Sequence, residues 1–335
     1  MSRSPALLTG LLAALLTGLL AGLAPGCHAP EDYRLEAPTP AVTTKHPPAR
    51  PDPGALGAAL RWLVDHEASD GSWGPGERRV EDTGLAALSL LAEGNTLDVG
   101  PHREPLGRAV RWLARHQDGE GVFRDGEAVP DLGGQAAALL AVSEAQVLSR
   151  GDHGLEDTVG RGAEALARAL AGWNAPGELP DERGALEAAW GLAALASARD
   201  AGASLEQRLA DATLDRIRFQ TEATALRSAA SLFAGAITGA GILEDEGAPL
   251  LDRLPGTDDG DDPAEYWYLG SLAAFQRGGE LWRAWQPALG AALAAAQLED
   301  GSFPAPESDG NRIRSTALGA MTLAVQWRYA RVISR

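Results

Sequence analysis

Three carboxylates in four residues, Asp259-Gly260-Asp261-Asp262, are the first group whose type and spacing could do chemistry. Clustered carboxylates can move protons or hold a hard cation. The spacing does not fit an Asp-x-Asp-x-Asp-Gly calcium loop. A structural reading competes: Asp262-Pro263 is an N-cap followed by proline at the first helical position, and residues 255–260 read as a solvated turn. Tyr266, Trp267 and Tyr268 follow at once, with Trp282 and Trp285 close behind. Such aromatics serve either a core or an apolar or sugar-binding surface. His66 and His116 each lie four residues after a tryptophan, where a helix C-terminus favours a cation, and read as caps. The single cysteine, Cys27, excludes an internal disulfide framework and a Cys-rich zinc site. No metal or other cofactor is expected.

The elements that must position these residues are helices in pairs. The pattern predicts Ala55–His66 with Thr83–Ala92, Pro105–Gln117 with Leu132–Leu148, and Val159–Trp173 with Gly184–Ala198. It continues with Leu205–Gln220 and Thr224–Ile237, Gly247–Leu254 and Pro263–Phe275, and Leu281–Gln297 and Ile313–Ala330. First members carry charges at three- or four-residue spacing, as Arg108, Arg111 and Arg115 do, which marks one solvated face. Second members are nearly uncharged and rich in Ala, Gly and Ser, hence buried on most sides. Six exposed and six buried helices in alternation predict an all-α fold, an (α/α)6 toroid of six hairpins, with an open solenoid as the alternative.

Composition agrees. The chain has 335 residues and is 45% hydrophobic, which is enough for a large core and excludes wholesale disorder. A net charge of −17 argues against a nucleic-acid partner.

Residues 1–27 read as an export signal: Arg3, an uncharged apolar run from Ala6 to Ala24, then Pro25-Gly26-Cys27. Its end resembles a bacterial lipoprotein signal, which would make Cys27 the lipidated first residue of the mature chain; Ala24 stands where such signals usually carry Leu. Residues 28–53 hold seven prolines and read as a semi-rigid tether, leaving 54–335 as the toroid domain.

Loops after three first helices share a spacing, aromatic-Leu-x3-Gln-x3-Gly-x-aromatic. It runs through Trp62-Leu63, Glu67 and Gly71-Ser72-Trp73, and through Trp112-Leu113, Gln117 and Gly121-Val122-Phe123. The sixth copy has Leu293, Gln297 and Gly301-Ser302-Phe303. Glutamine can satisfy free backbone groups, glycine permits the turn and the aromatic packs back. This spacing resembles the QW repeat of the squalene–hopene cyclase and protein-prenyltransferase superfamily. The stretch from Glu265-Tyr266-Trp267-Tyr268 to Leu281-Trp282 looks like the C-terminal part of bacterial squalene-cyclase-like repeat proteins.

The resemblance implies an α/α toroid and several chemistries to test against the residues. A prenyltransferase zinc site needs a cysteine in the domain, and a thioester needs Cys and Gln together; neither is present. A class II terpene cyclase protonates an alkene with the middle acid of Asp-x-Asp-Asp. Carried over, Asp261 would be that acid, with Asp259 and Asp262 beside it. Cyclases of that type use two helical barrels and many aromatics, whereas this chain offers one barrel and few aromatics. In this fold the starts of the second helices face the central cavity. They would bring Asp82, Asp131, Arg183 with Glu187, Glu222 with Arg227, Glu265 with Tyr266, Trp267 and Tyr268, and Arg314 to a polar mouth. Paired carboxylates there, Asp82 with Asp131 or Glu265, would suit a carbohydrate-active enzyme. As structural elements, Asp82 and Asp131 read as N-caps and Glu187 as the partner of Arg183.

The expected function is a lipid-anchored cell-envelope protein whose toroid is a non-catalytic ligand- or protein-binding module. Its partners would be the membrane, through the anchor, and a small molecule or an envelope protein. The alternative is an enzyme on the same toroid, terpenoid-cyclase-like through Asp261 or carbohydrate-active through the mouth.

Overall fold

The computed structural model describes residues 53–127, 130–176, 181–204, 206–218, 224–240, 247–256, 263–305 and 312–325. The export signal, the tether up to residue 52, Cys27, Asp259, Asp261, Asp262 and Glu222 lie outside the described residues. Twelve α-helices occur among the described residues: α1 (Pro53–Asp65), α2 (Arg79–Glu93), α3 (Arg103–Arg115), α4 (Leu132–Leu148), α5 (Glu156–Trp173), α6 (Glu182–Asp200), α7 (Gln207–Arg218), α8 (Ala225–Thr238), α9 (Ala248–Asp252), α10 (Pro263–Arg277), α11 (Gly279–Ala296) and α12 (Arg312–Val325).

The even-numbered helices pack side by side in the order α2, α4, α6, α8, α10, α12, and α12 returns to α2. The inner ring is therefore closed, which settles the choice between toroid and open solenoid. Odd-numbered helices lie outside it; α3, α5 and α7 each rest on two neighbouring inner helices, and α1 covers the α12–α2 seam. Composition explains the layering. In α4 every residue from Gly133 to Ala145 is buried, whereas α3 buries one face and turns Arg103, Arg111 and Arg115 to solvent. Small residues let the inner helices approach closely: a Cβ on Gly84 of α2 would lie 2.7 Å from the backbone of Ala137 in α4.

The repeated loops fasten each hairpin to the next. Gln117 donates to the carbonyl of Thr158 in α5 at 2.8 Å, and Gln297 to that of Ala55 in α1 at 2.8 Å. Glu67, standing where the others have glutamine, instead accepts two 2.6 Å bonds from Arg108 of α3. The loop glycines press against the same next helix. Gly301 has φ +91, and a Cβ there would lie 2.7 Å from the backbone of Ala58; Gly71 and Gly121 are its equivalents on Arg108 and Arg161. The loop aromatics Trp73, Phe123 and Phe303 are buried, and their amides donate to Thr83, Gln135 and Thr316 of their own inner helices. His66 and His116 cap as expected: each Nδ1–H donates to the carbonyl of the tryptophan four residues earlier, at 2.7 and 2.8 Å, and stacks on its ring.

Candidate functional site

Five inner helices line one cavity inside the ring, most of them with residues near their N-terminal ends. They supply Glu81 from α2, Gly133 from α4, Arg183, Glu187 and Trp190 from α6, Glu265 from α10 and Arg314 from α12. On α6 the three residues are spaced i, i+4, i+7, which places them on one helix face. Asp131 caps α4, accepting from the Gly134 amide at 2.8 Å, and so stands at the rim.

Arg314 is the centre of the arrangement. Its side chain is 5% exposed and bridges two helices, donating through Nε to Glu81 at 3.2 Å and through Nη2 to Glu265 at 2.5 Å. Glu265 uses its other oxygen to accept from the indole of Trp190 at 2.9 Å. Arg78 adds a second cation to Glu81 at 3.4 Å. A guanidinium this buried persists because two carboxylates accept hydrogen bonds from it.

A second ion group lies beside the first. Arg183 donates to Glu187 at 2.7 Å and to Asp131 at 3.2 Å. Burial, reinforced by the negative charge of Asp131, pushes the Glu187 carboxyl up to about 7, against the opposing pull of Arg183.

Behind Trp190, the one aromatic of the cavity lining, further rings pack against it. Trp190 stacks on Tyr268 with centroids 5.4 Å apart, and Phe233 meets Trp190 edge-on at 6.2 Å. Tyr268 is buried, which raises its phenol well above the usual range. Among the described residues, the space left open between these side chains is a cavity of about 20 Å³. That is room for about one water molecule.

The structure sorts the sequence-predicted residues. Glu265, Arg314, Arg183 and Glu187 meet at the mouth, and Asp131 joins them through Arg183. Asp82 does not: α2 begins at Arg79, so Asp82 is a fully buried residue of its first turn rather than an N-cap. Its carboxylate packs where a Cβ on Gly74 would lie, toward the repeated loop. The pairing of Asp82 with Asp131 or Glu265 is thereby replaced by Glu81 with Glu265 around Arg314. Tyr266 points elsewhere, with its hydroxyl donating to the Arg253 carbonyl and its ring edge-on to Trp285 at 5.4 Å. Trp267 is a core side chain, 2% exposed. Glu81 and Trp190 are site residues that the sequence pattern does not single out. The first lay hidden behind a misplaced helix start; the second was legible as the i+7 companion of Arg183.

Among the described residues no group of three or more His, Cys, Asp or Glu side chains is placed to hold a metal ion. No helix of the described residues is long and apolar enough to cross a membrane.

No protein-family model matches the chain, and no curated protein matches it. Among solved structures the fold is similar to the type II terpene cyclase MstE from Scytonema in its apo form, with a TM-score of 0.54 and 15% identity. The similarity covers 81% of this chain and 96% of that one. It establishes a terpene-cyclase-like α/α toroid. The match also spans nearly the whole of that cyclase chain, so the expectation that such cyclases use two barrels does not hold for that neighbour.

Proposed function

We propose that this chain is an exported protein held to the cell envelope through lipid on Cys27, and that its toroid is a non-catalytic binding module. Its ligand, a small polar molecule or a segment of an envelope protein, would be recognised at the polar mouth of the ring. One observation carries the reading: among the described residues, the Arg314 ion pairs and the Trp190–Tyr268 stack occupy the cavity lined by five inner helices and leave about 20 Å³ of it open. Pockets that enclose a small molecule run to roughly 300 Å³ or more, so a ligand would rest against the polar rim rather than inside the ring, and carbocation chemistry further needs aromatic faces turned to the substrate.

Product analysis tests it. The full chain is incubated with linear isoprenoids, as hydrocarbons and as diphosphates, and the extract is read by mass spectrometry. No cyclised product is expected. A cyclised product that disappears in Asp261→Asn would overturn the reading in favour of a cyclase, the activity named for the structural neighbour.

A second reading rests on Glu187. A carboxyl held at about 7, beside Asp131 and within the same cavity as Glu81 and Glu265, has the properties of a general acid for a carbohydrate-active enzyme. Glycoside hydrolysis lost in Glu187→Gln would establish that alternative.

A further inference from the structure

A second polar cleft lies on the outer wall of the ring, away from the axial ion pairs. It has a volume of about 520 Å³ and is lined by Arg103, Glu104, Arg108, Arg111 and His153 around apolar side chains. In a chain of net charge −17, α3 reverses the local sign, with Arg103, Arg108, Arg111 and Arg115 against Glu104.

These cations are not equivalent. Arg108 is committed to Glu67 through two bonds of 2.6 Å. His153 is held by Asp98 at 3.0 Å, and Asp98 also accepts from the amides of Arg150 and Gly151, which fixes the loop as a wall. Arg103 and Arg111 have no ion-pair partner within 4.0 Å among the described residues, and both are exposed at the cleft. The Arg111 guanidinium folds back over Gly107, where a Cβ would lie 3.2 Å from Nη1. The cleft thus presents two uncommitted guanidinium forks, eight residues apart on one helix, on walls held by the bonds of Arg108 and His153. Guanidinium forks match the oxygens of a phosphate group in geometry as well as charge.

We propose that this cleft binds a phosphate group through Arg103 and Arg111, supplied either as free phosphate or as the headgroup of an anionic phospholipid. The apolar lining and a volume well beyond that of one phosphate leave room for the group that carries it.

Calorimetric titration of the full chain in neutral detergent tests the site, with inorganic phosphate in one arm and monomeric dihexanoyl phosphatidylglycerol in the other. Binding is expected in at least one arm, and the arm that binds identifies the source. The double variant Arg103→Ala/Arg111→Ala should weaken it about tenfold or more. Its thermal midpoint should match the wild type, because both side chains are solvent-exposed. Glu104→Gln, which removes a carboxylate from the lining, should strengthen binding. No heat in either arm, an unchanged affinity in the double variant, or weaker binding by Glu104→Gln would overturn the proposal.

Discussion

Arg314 of α12 and Glu265 of α10, 49 residues apart in sequence, meet inside the ring with Nη2 and Oε2 2.5 Å apart. With the bond from Arg314 to Glu81 at 3.2 Å, this ties α2, α10 and α12 together near the axis. The contact fastens the inner ring and, among the described residues, fills part of the cavity lined by five inner helices.

Removing Arg314 should be costly. Arg314→Ala leaves Glu81 and Glu265 facing each other with their shared cation gone, and an expected loss of about 3–5 kcal/mol follows. Arg314→Met combined with Glu81→Gln and Glu265→Gln should recover most of it, because no buried charge is then left unpaired. Urea denaturation of the two variants gives the comparison.

The sixth loop should matter for ring closure. Gln297→Ala removes bonds to Ala55 and to Gly301, both 2.8 Å, and should cost about 1–2 kcal/mol. Gly301→Ala should cost more, about 2–4 kcal/mol, because it adds a Cβ in left-handed backbone against Ala58. Equal losses in the two variants would contradict this account of the loop.

Glu187 predicts a pH dependence with a definite sign. Its carboxyl is raised from 4.5 to about 7 in the folded chain, so the unfolded chain is the stronger acid. The protonated form favours the fold; that stability is complete below 4.5 and is lost as pH rises through about 7. Glu187→Gln should match the wild type near pH 4.5 and exceed it at pH 8 by about 1 kcal/mol, after allowance for solvent screening. Chemical denaturation at the two pH values reads the difference directly.

The anchor is tested at Cys27. The wild-type chain should fractionate with membranes and require detergent for release, whereas Cys27→Ser should not acquire lipid, as intact mass shows. A Cys27→Ser protein whose mass and fractionation match the wild type would remove the anchor from the account.

Much of the fold was legible because the two helix classes differ so sharply in composition. The helix Leu132–Leu148 was placed correctly at both ends, where Asp131 supplies a side-chain cap. The start of α2 was placed four residues late, since its N-cap residue, Arg78, makes no side-chain capping bond and leaves no signal. That shift put Asp82 at the mouth in place of Glu81. The loop spacing announced a stabilising turn, but the partner of Gln117 is a carbonyl of the next hairpin, 41 residues away, which no local pattern encodes. The candidate site was half legible for the same reason. Each charged residue was visible in its own helix, whereas the sharing of Arg314 between Glu81 and Glu265 follows from ring closure.

The meeting of Arg314 and Glu265 inside the ring carries the account, and a double-mutant cycle between them tests it most directly. Unfolding free energies of the wild type, Arg314→Met, Glu265→Gln and the double variant should give a coupling of about 1.5–3 kcal/mol, as expected of a buried charge-assisted bond. A coupling within about 0.5 kcal/mol of zero would mean that the two side chains do not meet inside the ring, and would contradict the account of the cavity.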